Sequence, residues 1–111
     1  MENEFVPYEQ ALALKELRFD EPCMSSRDMN NGEGLIQLPL YQQAFRWFRE
    51  RHDMHHGIGF TGSWYYDIDS MKNTENAVYE VAHKWNMKTY EEAESACLDE
   101  LIKICKTKIN G

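Results

Sequence analysis

His52, Asp53, His55 and His56 stand almost side by side, and imidazole next to carboxylate is the ligand chemistry of zinc and other transition metals. The geometry expected of this segment argues against a metal centre. A helix is expected to end near His52 and a strand to follow, so His55 and His56 point to opposite faces while His52 falls in the helix's apolar stripe. No Cys-x-x-Cys or His-Glu-x-x-His spacing adds support. The expectation is a helix-to-strand corner with solvated histidines, and no cofactor. Asp67 and Asp69 are a second pair with chemical potential, because two carboxylates on one face of a strand can hold a cation or divide acid and base roles. Ordinary outward alternation already accounts for both. Cys23 follows Asp20-Glu21-Pro22, a negative neighbourhood that raises a thiol pKa and makes a poor nucleophile. Gly57, Gly59 and Gly62 lack the strand–loop–helix setting of a phosphate cradle. No catalytic residue is assigned.

Arg46, Trp47, Arg49 and Arg51 form the clearest contact surface, since Arg and Trp are over-represented among interface hot spots. Trp47 is expected on the helix flank, where Arg51 four residues on could lie across its indole, a contact of roughly 0.5–1 kcal/mol when exposed, the pair being either a packed edge or a binding surface. The same residues serve equally as an internal or homodimer packing surface, because Arg46 and Glu50 are an i,i+4 pair.

The elements that position these residues begin with a recurring motif. Tyr8-Glu9-Gln10-Ala11, Tyr41-Gln42-Gln43-Ala44 and Tyr90-Glu91-Glu92-Ala93 each open an apolar-periodic run. They mark three helices, expected at about Pro7 to Arg18, Leu40 to His52 and Tyr90 to Lys106. In the last, Thr89 and Glu92 suit a capping box, and Tyr90, Ala93, Cys97, Leu98, Leu101, Ile104 and Cys105 make one apolar face. After the middle helix the period becomes two: Met54, His56, Ile58 and Phe60, then Trp64, Tyr66 and Ile68, a β-hairpin about Thr61-Gly62. Ala77 to Trp85 fits either period and is taken as a third strand completing a meander. Cys23–Arg27 and Leu35–Leu38 flank a turn-rich link that can close a smaller hairpin. The expected architecture is a single α+β domain, three helices on a small antiparallel sheet.

Composition narrows the classes of function. The chain has 111 residues, 19 acidic against 12 basic, and a formal net charge of −7, which disfavours non-specific binding to nucleic acid. Three widely spaced cysteines do not make a disulfide framework. The first residues, Met-Glu-Asn-Glu-Phe-Val-Pro, have no signal-peptide pattern and no apolar run approaches about 20 residues. A cytoplasmic protein that neither spans a membrane nor is secreted is expected.

Phe5-Val6-Pro7-Tyr8-Glu9-Gln10-Ala11-Leu12-Ala13-Leu14-Lys15-Glu16-Leu17, Phe19-Asp20-Glu21-Pro22-Cys23, Gln43-Ala44-Phe45-Arg46-Trp47-Phe48-Arg49-Glu50 and Thr89-Tyr90-Glu91-Glu92-Ala93-Glu94 together resemble a family of small proteins from phages, prophages and mobile elements of gut anaerobes. The resemblance covers the three helices and is loose across Met24–Leu38 and His52–Lys88. The family has no assigned activity, and it favours glycine where Arg18 stands. The resemblance implies a bacterial host cell and a non-enzymatic accessory protein that binds a host or phage protein, such as a host-defence nuclease whose basic channel an acidic inhibitor occupies. Asp67, Asp69, Glu91 and Glu92 are the residues expected to make that contact. The alternatives are a nucleic-acid-associated regulatory module using the Arg46–Arg51 helix, and an unconventional enzyme or metal-binding protein at the His52–His56 corner.

Overall fold

The three Tyr-x-x-Ala motifs open the three helices in the computed structural model, which describes residues 5–29, 32, 34–70 and 79–110. The elements run α1 (Tyr8–Glu16), β1 (Ser25–Asp28), β2 (Leu35–Leu38), α2 (Tyr41–His52), β3 (Met54–Phe60), β4 (Trp64–Ser70), β5 (Tyr79–Met87) and α3 (Tyr90–Asn110). The fold is α+β, with a two-stranded antiparallel sheet β1-β2 and a three-stranded antiparallel sheet β3-β4-β5.

Each helix starts by the same device. The amide of the motif alanine donates to the carbonyl of the residue before the tyrosine: Ala11 to Pro7 at 2.9 Å, Ala44 to Leu40 at 3.0 Å, Ala93 to Thr89 at 3.1 Å. All three alanines are buried, so their small side chains let the first turns approach the core closely. The tyrosines diverge: Tyr41 is buried, Tyr8 half-buried and Tyr90 exposed. Only α3 among these starts has a side-chain cap, with the Glu92 amide donating to Thr89 Oγ1 at 3.0 Å and the Lys88 amide to Glu92 Oε2 at 3.3 Å. Such a cap contributes about 1 kcal/mol.

α1 ends in a Schellman turn. The Phe19 amide donates to the Leu14 carbonyl and the Arg18 amide to that of Lys15, both at 3.0 Å, with Arg18 left-handed at φ 72°. This turn folds Phe19 back onto α2. The link after it forms the smaller hairpin, pairing Ser25 with Leu38 through Asp28 with Leu35, two residues later than expected at its start.

β3 and β4 pair from Met54↔Ser70 to Phe60↔Trp64 around Thr61–Ser63, with Gly62 supplying the positive φ of 83° that the tight loop requires. The third strand is present, described over Tyr79–Met87 and so running two residues past the expected end at Trp85; residues 77 and 78 of the expected strand lie outside the described residues. β5 carries an extra residue twice relative to β4, once between the Trp64 and Tyr66 pairings and once between those of Ile68 and Asp69. With Asn86 at φ 66°, the first irregularity turns Met87 into the core while Trp85 stays outside.

One core unites the elements: Leu14, Phe48, Met54, Ile68, Leu98 and Leu101 are fully buried, and α3 packs on all three strands as well as on α1 and α2. α3 runs past the expected Lys106, and it buries Ile102 while Ile104 is only half-buried. Of the two places open to the flanking Trp47, a packed edge or a contact surface, it takes the packed edge. It is 2% exposed, edge-on to Phe19 at 5.4 Å and to His52 at 4.9 Å, because the turn at Arg18 covers that side of α2. Its indole nitrogen has no hydrogen-bond partner among the described residues. Arg51 does not lie over it; the cation–π contact among the described residues is Arg27 over Tyr8, 4.3 Å from the ring centre.

A polar junction ties the three helices. Buried Gln10 of α1 donates to the Ser95 carbonyl at 3.0 Å and to Asp99 Oδ1 at 2.7 Å, and accepts from the Tyr41 hydroxyl at 3.2 Å. Both the amide oxygen and the amide nitrogen are thereby engaged, at the edge of the core where Ser95 is half-buried and Asp99 exposed, which ties the helices' relative positions together.

Candidate functional site

The three histidines of the α2–β3 corner go separate ways. His52 packs on Trp47 and Phe48, His55 Nε2 meets Asp53 Oδ1 at 3.0 Å, and His56 lies flat on Phe45 with ring centres 3.8 Å apart and planes 9° from parallel. Among the described residues no group of three His, Cys, Asp or Glu side chains converges as metal ligands. His56 is not the solvated histidine expected: burial, and then the nearby Arg49 charge, push it down to about 4, so it is neutral at pH 7.

The α2 cations also separate from their aromatic partner. Arg46 reaches Glu21 at 3.4 Å, Arg49 and Arg51 are exposed, and Trp47 is inside. Glu92 is engaged in capping α3, while Glu91 lines a hollow with Phe5, Tyr8 and Arg27, apart from Asp67 and Asp69.

Asp67 and Asp69 do share a surface, the face of the three-stranded sheet turned away from the helices. Alternation along β4 sends Tyr66 and Ile68 into the core and Tyr65, Asp67 and Asp69 outward. In register beside them stand His55 and Gly57 of β3 and His83 of β5. Tyr65, His83 and Trp85 form a continuous aromatic stack: Tyr65 to His83 is 5.7 Å at 17°, and His83 to Trp85 is 4.9 Å at 26°. Trp85 is 57% exposed.

The two glycines of β3 make this surface possible. A Cβ on Gly57 would come within 2.5 Å of Asp67 Oδ1, and one on Gly59 within 2.5 Å of the Tyr65 hydroxyl oxygen. Both side chains therefore lie across β3 instead of standing off the sheet. The result is a low platform with carboxylates at one end and aromatic faces at the other. Such a surface suits arginine and lysine side chains, which pair with carboxylates and stack on aromatic rings.

Sequence reasoning placed Asp67 and Asp69 on an outer face and missed the aromatic half. Tyr65 shares their parity and was legible there; Trp85 was not, because β5's irregularities reset its alternation.

The thiols offer no comparable chemistry. All three are free. Burial, then Asp67, Glu100 and Glu94, push Cys97 up to about 12; burial and Glu21 raise Cys23. Both are protonated at neutral pH. Among the described residues no helix is long and apolar enough to cross a membrane.

No protein-family model, curated protein or solved structure matches the chain.

Proposed function

We propose that the chain is a non-enzymatic binding protein that engages a basic protein surface through the outer face of its three-stranded sheet. The observation that carries the reading is the Tyr65–His83–Trp85 stack, half-buried at Tyr65 and exposed at His83 and Trp85, beside Asp67 and Asp69. A formal charge of −7 adds long-range attraction to a basic partner and speeds encounter. Aromatic anchors at the centre of a contact then supply most of the short-range affinity. Inhibition of a host-defence nuclease, implied by the resemblance to phage and prophage proteins, is one form such binding takes: the carboxylates stand where nucleic-acid phosphates would lie.

A direct test titrates the protein with an oligo-arginine peptide while following tryptophan fluorescence. Trp85 is the exposed indole, so binding quenches its emission, and affinity falls steeply with added salt. Trp85→Ala, and separately Asp67→Asn with Asp69→Asn, weaken binding about tenfold or more. Equal affinity in both variants would remove the sheet face from the reading. Capture from a phage-infected host with the same variants then identifies the physiological partner.

A further inference from the structure

A groove of ≈530 Å³ opens beside the exposed side of α2, bounded by the chain just before β1 and by the start of α3. Its volume lies in the range of small-molecule sites. Gln43 Nε2 of α2 donates to the Pro22 carbonyl at 2.7 Å, which pins one end of the groove to the helix.

The walls are chemically unlike. Arg46 and Arg49 stand on one side, with His56 between α2 and the sheet. Arg49 makes no ion pair among the described residues, and the bond from Arg46 to Glu21 is long at 3.4 Å with the arginine side chain 53% exposed. The neutral imidazole of His56 presents one N–H donor and one acceptor without adding charge. Across the groove are Tyr90, 42% exposed, and Glu94, whose carboxylate is hydrogen-bonded to the tyrosine hydroxyl. Met24, 91% exposed, overhangs the opening. Two guanidinium forks suit a phosphate group, which offers more acceptor oxygens than one fork uses. An exposed tyrosine ring and a flexible methionine suit a flat, apolar body beside it.

We propose that this groove binds a small phosphate-bearing molecule of nucleotide size, its phosphate held by Arg46 and Arg49 and its planar ring lodged against Tyr90 and Met24. The site is separate from the sheet face and does not depend on it.

The test follows imidazole and backbone NMR signals while adenosine monophosphate, adenosine and inorganic phosphate are added in turn. Adenosine monophosphate is expected to shift the His56 ring signals, with adenosine and inorganic phosphate each about tenfold weaker or more. Arg49→Gln, an exposed change that keeps the fold's spectrum, weakens adenosine monophosphate about tenfold or more, and Tyr90→Ala several-fold. Asp67→Asn on the sheet face leaves its binding unchanged. The proposal is overturned if adenosine monophosphate leaves His56 unmoved at about 10 mM, far above a typical metabolite affinity. It is equally overturned if Arg49→Gln binds as well as the unaltered protein, or if inorganic phosphate matches the nucleotide. A 5′-phosphorylated oligonucleotide that binds more tightly than the nucleotide would overturn the small-molecule assignment in favour of nucleic acid.

Discussion

His56 lies flat against Phe45, with ring centres 3.8 Å apart, and Arg49 stands close enough to oppose a proton on the imidazole. The stack joins α2 to β3 just after the chain changes from helix to strand. Burial in that joint, with the Arg49 charge alongside, disfavours a proton on the ring.

The pH dependence follows from that burial and that charge. Burial and Arg49 lower His56 from 6.5 to about 4, so between those values the unfolded chain holds a proton that the folded chain refuses. Stability is full above pH 6.5 and is lost as pH falls toward 4. After discounting for the ring's partial exposure, the loss is about 1–2 kcal/mol, several degrees in Tm. Thermal melts of His56→Phe should lack this part of the profile while retaining the rest. An unchanged slope between pH 6.5 and 4 would show that His56 titrates normally.

Arg18 occupies the left-handed position of the α1 Schellman turn, where a side chain is strained and glycine is not. Arg18→Gly is expected to stabilise the protein by up to about 1 kcal/mol in urea unfolding. A loss of stability would mean that the Arg18 side chain makes a contact worth more than the strain.

Gln10→Ala removes the hub shared by Tyr41, Ser95 and Asp99. Leaving those groups without their partner should lower stability by about 2–3 kcal/mol, more than truncating an exposed glutamine. Chemical denaturation measures it, and a change below about 0.5 kcal/mol would show that solvent replaces the bonds.

Leu101 is fully buried on the α3 face that meets the strands. Leu101→Ala should cost about 2–5 kcal/mol and Leu101→Asp should abolish the cooperative melt. A soluble Leu101→Asp protein with the original Tm would contradict the packing of α3.

Gly59→Ala forces the Tyr65 ring off β3, since the new Cβ would meet its hydroxyl and ring carbons at 2.5–2.8 Å. The far end of a tyrosine can move, so the expected stability change is only about 1 kcal/mol. Near-ultraviolet circular dichroism should nevertheless lose the signature of the Tyr65–His83–Trp85 stack. Retention of that signal would mean that the stack does not depend on the glycine.

The helices and the β3–β4 hairpin were legible because their evidence is local. A period of two from Met54 to Ile68 and three capped or proline-introduced starts specify elements without reference to the rest of the chain. Which of the two roles Trp47 takes was not legible, because its burial is created by Phe19, brought over by a turn that depends on one left-handed arginine. Trp85 and Met87 were obscured by irregular pairing, which shifts the faces of a strand without any hydrophobic signal. The groove was invisible for another reason: its residues come from separate stretches of sequence, and no spacing links Arg49 to His56 or Tyr90.

The Gln10 junction reaches from the first helix to a partner 89 residues later. During synthesis, Tyr41 and Leu14 will have emerged long before α3 can cover them. The apolar sides of α1 and α2 must therefore wait in the open, a period in which chaperones or unwanted association compete with folding. Completion of the last helix is the event that commits the chain, and slowing translation just before Thr89 should lengthen the vulnerable interval.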